Sequence, residues 1–306
     1  MSPRIRKVIF FILELARQEP HTFFWFTIRL LSAFLPLFTV YLFSQTIRLI
    51  ETDASYQQIL TLILVILAIR VFDNYLRLKS LYKLEESISN IGFSIHNYFL
   101  KDLRAGSRDQ RHESVQAVRN FSDATCLTLK LIRQPGIDSF VSLLTIPVIF
   151  FVTDFQVFIM EIAYIAVYFF IDFYTTERYA HLKDIQNTKT EVYYAKLQDT
   201  HDVDLEQSTY SRHFARLSRW GFKEWFMLQG SAVIFYSFIL FYLVVSVSVG
   251  AKDLSHLVLV MGYITSTQQY LNSVSEIKDS MTDVTVALEH LAKNDTIPVL
   301  DLDDLV

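Results

Sequence analysis

Glycine and proline are scarce in this chain, 7 and 6 among 306 residues, beside 26 Phe and 16 Tyr. So few turn residues with 52% apolar residues exclude a disordered chain, a collagen-like repeat and a Gly/Pro-rich β protein. Cysteine is nearly absent. Cys126 stands alone, so it forms no intrachain disulfide, and with no His or nucleophile motif beside it a reactive thiol is not indicated. A basic excess is also missing: the net charge is −4, which argues against a nucleic-acid partner. No G-x-x-x-x-G-K-[ST] or G-x-G-x-x-G loop is present to cradle phosphate, and no H-E-x-x-H or EF-hand pattern to hold a metal. Asp199, Asp202 and Asp204 read as a solvated turn with helix caps. Without G-x-S-x-G there is no support for hydrolase chemistry either. The expectation is a chain with no catalytic residues, no metal and no cofactor of its own.

What is present is apolar sequence in long blocks. The mean hydropathy is +0.29 although the chain carries 28 Lys+Arg and 32 Asp+Glu, so the charges must be concentrated between apolar segments, as in a membrane protein with charged loops. Six stretches near the length of a bilayer crossing stand out: 22–50, 59–77, 137–153, 157–174, 226–249 and 254–272. The third and fourth are separated only by Asp154-Phe155-Gln156, where the acid favours a turn at the water surface. Between Pro36 and Gly92, and between Pro147 and Gly221, nothing breaks a helix, so helices are expected to run out of the membrane into water.

Lys and Arg fix an orientation. Arg4, Arg6, Lys7 and Arg17 precede the first span, and many more lie between spans two and three and between spans four and five, whereas the opposite turns carry only Lys252. Both termini are therefore expected in the cytoplasm of a cell with an inner membrane, as a multi-pass protein. Residues 1–20 mimic a signal peptide, but Glu14 interrupts the apolar run and Arg17-Gln18-Glu19-Pro20 is a poor cleavage region. Ile5, Val8, Ile9, Ile12, Leu13 and Ala16 repeat at helical spacing instead, which predicts an amphipathic helix on the inner membrane surface.

This layout resembles the transmembrane domain of ABC exporters: an elbow helix, six spans, tight external turns and two long cytoplasmic excursions. The specific points are Pro36 followed by Leu37-Phe38-Thr39-Val40, Gly106-Ser107-Arg108 leading to Val118-Arg119-Asn120-Phe121-Ser122-Asp123, the turn at Asp154, Gly250 before the sixth span, and Val286-Ala287-Leu288-Glu289-His290-Leu291. The resemblance implies an all-α membrane protein forming one six-helix domain over 1–294, a dimer with interleaved helices, and a short acidic tail at 295–306. After Leu291 there is no room for the ATPase domain that commonly follows in such exporters, so ATP is expected only through a separate partner subunit. The resemblance further implies that cytoplasmic turns touch that partner, with Arg104, Arg108, Asp109 and Arg111 in one and Asp204, Glu206 and Arg212 in the other. The second turn departs from the family in having no glycine between Asp199 and Arg219.

Ionisable residues at bilayer depth are the first functional candidates, because charge in hydrocarbon must face water, a partner or the bundle interior. Arg29, Arg70, Asp73, Glu161 and Asp172 meet that description. Arg70, Asp73 and Arg77 also allow ordinary pairing along one helix face, and Arg29 and Glu161 allow snorkelling. Thr265, Gln268, Gln269, Asn272 and Glu276 fall on one helical stripe of the sixth span, which either lines a wet cavity with Gln45 and its neighbours Ser44 and Thr46 or makes interhelical hydrogen bonds. The function expected is that of a membrane-spanning transporter subunit working by alternating access and powered by a separate ATPase. The alternatives are an ion-driven transporter or channel on the same fold, or a regulator that transports nothing. Membrane lipid, a second copy of the chain and an unidentified substrate are the other partners implied.

Overall fold

In the computed structural model of the chain, residues 3–19, 21–100, 108–199 and 203–292 are described, and among them there is no strand. The helices are α1 (Pro3–Gln18), α2 (Thr22–Ser32), α3 (Phe34–Glu51), α4 (Tyr56–Leu100), α5 (Arg108–Leu131), α6 (Ile137–Thr153), α7 (Phe155–Asp199), α8 (Val203–Ser248) and α9 (Leu254–Ala292). A π turn at Ile132–Gly136 joins α5 to α6. The breaker-free intervals give α4 and α7, each 45 residues, and α8 reaches 46 by running through Gly221 and Gly230. At 1.5 Å per residue each is about 70 Å long, more than twice the ~30 Å of a hydrocarbon core.

Five helices are long and apolar enough to cross a membrane: Thr22–Glu51, Tyr56–Phe99, Ser114–Thr153, Phe155–Thr175 and Gln207–Ser248. The protein thus has the helical make-up of a multi-pass membrane protein. The stretch expected as a sixth span, 254–272, opens the 39-residue helix α9, which is long enough but is not among those five. Its polar stripe is the reason: Thr265, Gln268, Gln269 and Asn272 fall within the one crossing length.

The first span is built from two helical segments, α2 and α3. It breaks at Ala33, because Pro36 has no N–H to offer the carbonyl of Ser32, so the i→i−4 ladder lapses there and α3 starts afresh with Pro36 in its first turn. The third span begins earlier than its apolar run, since α5 continues through the π turn into α6 instead of stopping at Pro135-Gly136. A π turn accommodates the missing proline N–H without ending the helix.

The chain forms two compact units, one from the described residues up to Ile146 together with those from Lys252 onward, the other from Pro147–Ala251. In the first, α2 and α3 pack on α4, and α5 packs on both α4 and α9. Phe11 of α1 joins Ile91, Ile95, Phe99, Val118, Phe121, Val284, Leu288 and Leu291 in one buried core. Glycines mark where helices meet most closely. A Cβ on Gly262 would lie 2.8 Å from Val40 Cγ1, and one on Gly92 would lie 2.8 Å from Cys126 Sγ, so α9 on α3 and α5 on α4 approach to a distance that a larger residue would not allow. Glu51 closes the other end: its carboxylate accepts the backbone N–H groups of Leu254 (3.0 Å) and Ser255 (3.3 Å), capping α9.

In the second unit α7 and α8 form an antiparallel pair, with Tyr164 against Phe235 (ring centroids 5.4 Å apart) and Thr175 bonded to Glu224. The turn at Asp154 is present. Its carboxylate Oδ1 accepts the N–H groups of Gln156 and Val157 at 3.2 and 3.3 Å, an N-cap for α7. Asp154 is buried within the protein, where Tyr242 also donates to it at 3.4 Å.

Candidate functional site

The first unit holds four buried or half-buried charges in one cluster. Arg29 of α2 is fully buried, and its Nη2 lies 2.5 Å from Asp138 Oδ2 of α6. The same guanidinium donates to the Gln134 carbonyl in the π turn (3.3 Å) and to Ser32 Oγ (3.2 Å). Arg77 Nη1 of α4 sits 3.3 Å from the same Asp138 oxygen, and its Nη2 sits 4.0 Å from Asp73. Two arginines and two aspartates therefore cancel, and the cluster ties α2, α4 and α6 together. Burial of charge is tolerated only with such pairing. The pairing is incomplete: Arg29 Nε, Arg77 Nε, Asp73 Oδ1 and Asp138 Oδ1 are buried and have no hydrogen-bond partner. An unpaired polar atom in a low-dielectric interior is costly, so each of these four calls for an explanation.

Nearby on α4 and α5 a second network joins Glu85 to Lys130 (2.8 Å) and to Arg133, which also donates to the Leu81 carbonyl at 3.2 Å. It carries one surplus positive charge. Arg70 is exposed on α4, within electrostatic reach of Asp73.

The residues of the α9 stripe differ in exposure. Thr265, Gln269 and Glu276 are exposed and Gln268 and Asn272 half-buried, whereas Tyr263, Ile264, Thr267 and Leu271 on the other side are buried. That buried side is fixed to α3, where the Tyr263 hydroxyl donates to the Leu37 carbonyl at 3.1 Å. Of the α3 residues expected to join the stripe, Gln45 is half-buried, and Ser44 and Thr46 are buried, Thr46 spending its hydroxyl on the Leu42 carbonyl. One side of α9 is thus covered by this chain and the other, which carries Thr265, Gln269 and Glu276, is left uncovered by it.

In the second unit Glu161 of α7 is fully buried and Asp172 nearly so. Thr175 donates to Glu224 of α8, and Trp220 Nε1 donates to the Thr175 carbonyl at 3.3 Å, with Arg178 stacked 5.7 Å from the Trp220 ring. Arg212 is exposed on α8. Arg104 and the side chains of Arg108, Asp109, Arg111, Asp204 and Glu206, expected at a partner surface, lie outside the described residues, as does the tail at 295–306.

Asp138, the partner of Arg29, is absent from the sequence-derived set of candidates, as are Arg133 and Glu85. A fully apolar span that contains one arginine demands an acid somewhere, and Asp138, directly after Gly136-Ile137 at the head of an apolar run, was the residue to pair with it. Searched against protein-family models and against curated proteins, the sequence matches none.

Proposed function

We propose that this chain is the membrane-spanning subunit of a transporter that moves a substrate across the bilayer by alternating access, with its six crossings of the inner membrane, both termini in the cytoplasm, and a second copy completing the bundle with interleaved helices. The observation that carries the reading is the open polar side of α9, where Thr265, Gln269 and Glu276 are exposed on a helix long enough to cross and held by its apolar back. In hydrocarbon such a side is costly, so it is assigned to a water-filled path. The π turn beside the Arg29–Asp138 cluster and the break at Ala33 supply points where the first and third spans can bend while the long helices stay rigid. Energy comes from a separate ATPase pressing on the cytoplasmic ends of the long helices, so the chain itself needs no hydrolytic residue.

Purification of the full chain from native membranes in mild detergent tests the energy source. A P-loop protein co-eluting in stoichiometric amount, with ATP hydrolysis in the eluate, is the expected result. A homodimer alone and without ATPase activity overturns the ATP-driven version. A second reading, ion-driven transport through the same path, is favoured by one feature: Glu161 is a fully buried acid on a segment long and apolar enough to cross the membrane.

A further inference from the structure

One exposed side of α4 changes chemistry along its length. Leu60, Leu64, Leu67 and Val71 are exposed and apolar, Glu86 and Ser89 exposed and polar, and all six recur at helical spacing on one stripe. Between the two sets the stripe carries Tyr75, Leu78 and Tyr82, all exposed, with Lys79 at its edge. At 1.5 Å per residue Lys79 stands about 35 Å along α4 from Tyr56, just past a ~30 Å hydrocarbon core. This is the level at which amphipathic rings settle at a membrane boundary. Lys79 is held there between two helices. Its Nζ lies 5.7 Å from the centre of the Trp25 ring of α2 and 5.6 Å from that of Tyr75, and it donates to the Tyr75 hydroxyl at 3.3 Å. Aromatic faces attract an ammonium but carry no net charge to cancel it. Among the described residues no acid is paired with Lys79: α2 contains none, and the only acid of α4 before Glu85 is Asp73, which is buried and set against Arg77. Lys83, one turn further on, sits 5.4 Å from the Tyr82 ring in the same way, but Glu86 neutralises it at 2.9 Å.

We propose that Lys79, with Trp25 and Tyr75 beside it, binds the phosphate of an anionic phospholipid such as phosphatidylglycerol, whose acyl chains run along the exposed apolar side of α4 toward Val71. An unanswered positive charge at the membrane boundary is the complement of an acidic head group. The same rings act against a zwitterionic lipid. A quaternary ammonium is a ligand for aromatic faces, but here Trp25 and Tyr75 already hold the Lys79 ammonium, which repels a second cation. The occupant is a lipid rather than free phosphate, because Leu78 beside the ammonium and Val71 two turns deeper are exposed for acyl chains to cover. The site requires that the chain crosses a membrane and is independent of what it transports.

The test is quenching of Trp25 fluorescence by brominated lipids. In the full chain with Trp220→Phe and Trp225→Phe, Trp25 is the sole tryptophan. Its emission is followed in phosphatidylcholine vesicles holding a rising fraction of phosphatidylglycerol, or of phosphatidylcholine, brominated on the acyl chains. The acidic lipid is expected to associate about fivefold more strongly than the zwitterionic one, the contribution of one basic residue at an anionic surface. Lys79→Gln, a change at an exposed side chain and so compatible with the fold, should bring that ratio to one, and Lys79→Arg should keep it. The paired change Lys83→Gln with Glu86→Gln, which removes no net charge, should leave it unaltered. Mass spectrometry of the lipid retained by the chain with all three tryptophans, before and after Lys79→Gln, reads the same preference independently. Equal association of the two lipids, a preference that survives Lys79→Gln, or one that the paired change also removes would overturn the proposal.

Discussion

Arg29 and Asp138 stand 109 positions apart in the chain and 2.5 Å apart in space, and Arg29 has no exposed surface. Removing one partner of such a pair strands the other in a medium that cannot solvate it. Asp138→Asn should therefore destabilise the first unit by about 3–5 kcal/mol. The double change Arg29→Met with Asp138→Leu should recover most of the loss in stability. Thermal unfolding of the purified protein in detergent, followed for the two single variants and the double, measures the coupling directly.

The approach of α9 to α3 rests on a missing side chain. Gly262→Ala places a Cβ 2.8 Å from Val40 Cγ1, so it should lower stability, by roughly 1–3 kcal/mol. Val40→Ala should restore it in the double variant, because the methyl that clashes is gone. Additive losses in the double-mutant cycle would show that the two residues do not touch.

Glu51 caps the helix that carries the polar stripe. Glu51→Ala should cost about 1 kcal/mol and raise amide hydrogen exchange at Leu254 and Ser255, the two N–H groups that its carboxylate accepts. Exchange elsewhere in α9 should stay unchanged.

If transport is driven by ions, Glu161→Gln should abolish pH-driven uptake into vesicles and leave the melting temperature within a few degrees, since the amide keeps the shape of the acid. Unchanged uptake in this variant would remove Glu161 from the coupling machinery.

Much of the fold was legible because membrane helices are written in composition. The interval without a breaker from Pro147 to Gly221 contains the unbroken α7, and Asp154 between two apolar runs became the cap between α6 and α7. Glycine was the misleading signal. Gly92 read as a breaker, but it sits inside α4, and there, as at Gly262 inside α9, the value of glycine is the absence of a side chain at a crossing rather than freedom of the backbone. Proline acted in two ways: Pro36 restarts the helix inside the single span Thr22–Glu51, whereas Pro135 is absorbed by a π turn. The site was less legible, for a physical reason. Periodicity places Thr265 and Gln269 on one side of α9, but which residues meet across helices depends on tertiary packing, so Arg29 could be singled out while Asp138, its partner, could not. A cavity under α1, whose walls come from several helices, left no trace in the sequence pattern.

The measurement that tests the central claim most directly is thiol accessibility along α9. In a Cys126→Ser background, single cysteines at Thr265, Gln269 and Glu276 and, as controls, at Tyr263 and Leu271 would be exposed in intact vesicles to a membrane-impermeant charged thiol reagent. A water-filled path predicts fast modification at the first three and none at the two buried controls, with the pattern of protection changing when substrate or energy source is supplied. Modification at none of the three would place the polar side of α9 against protein or lipid and contradict the account.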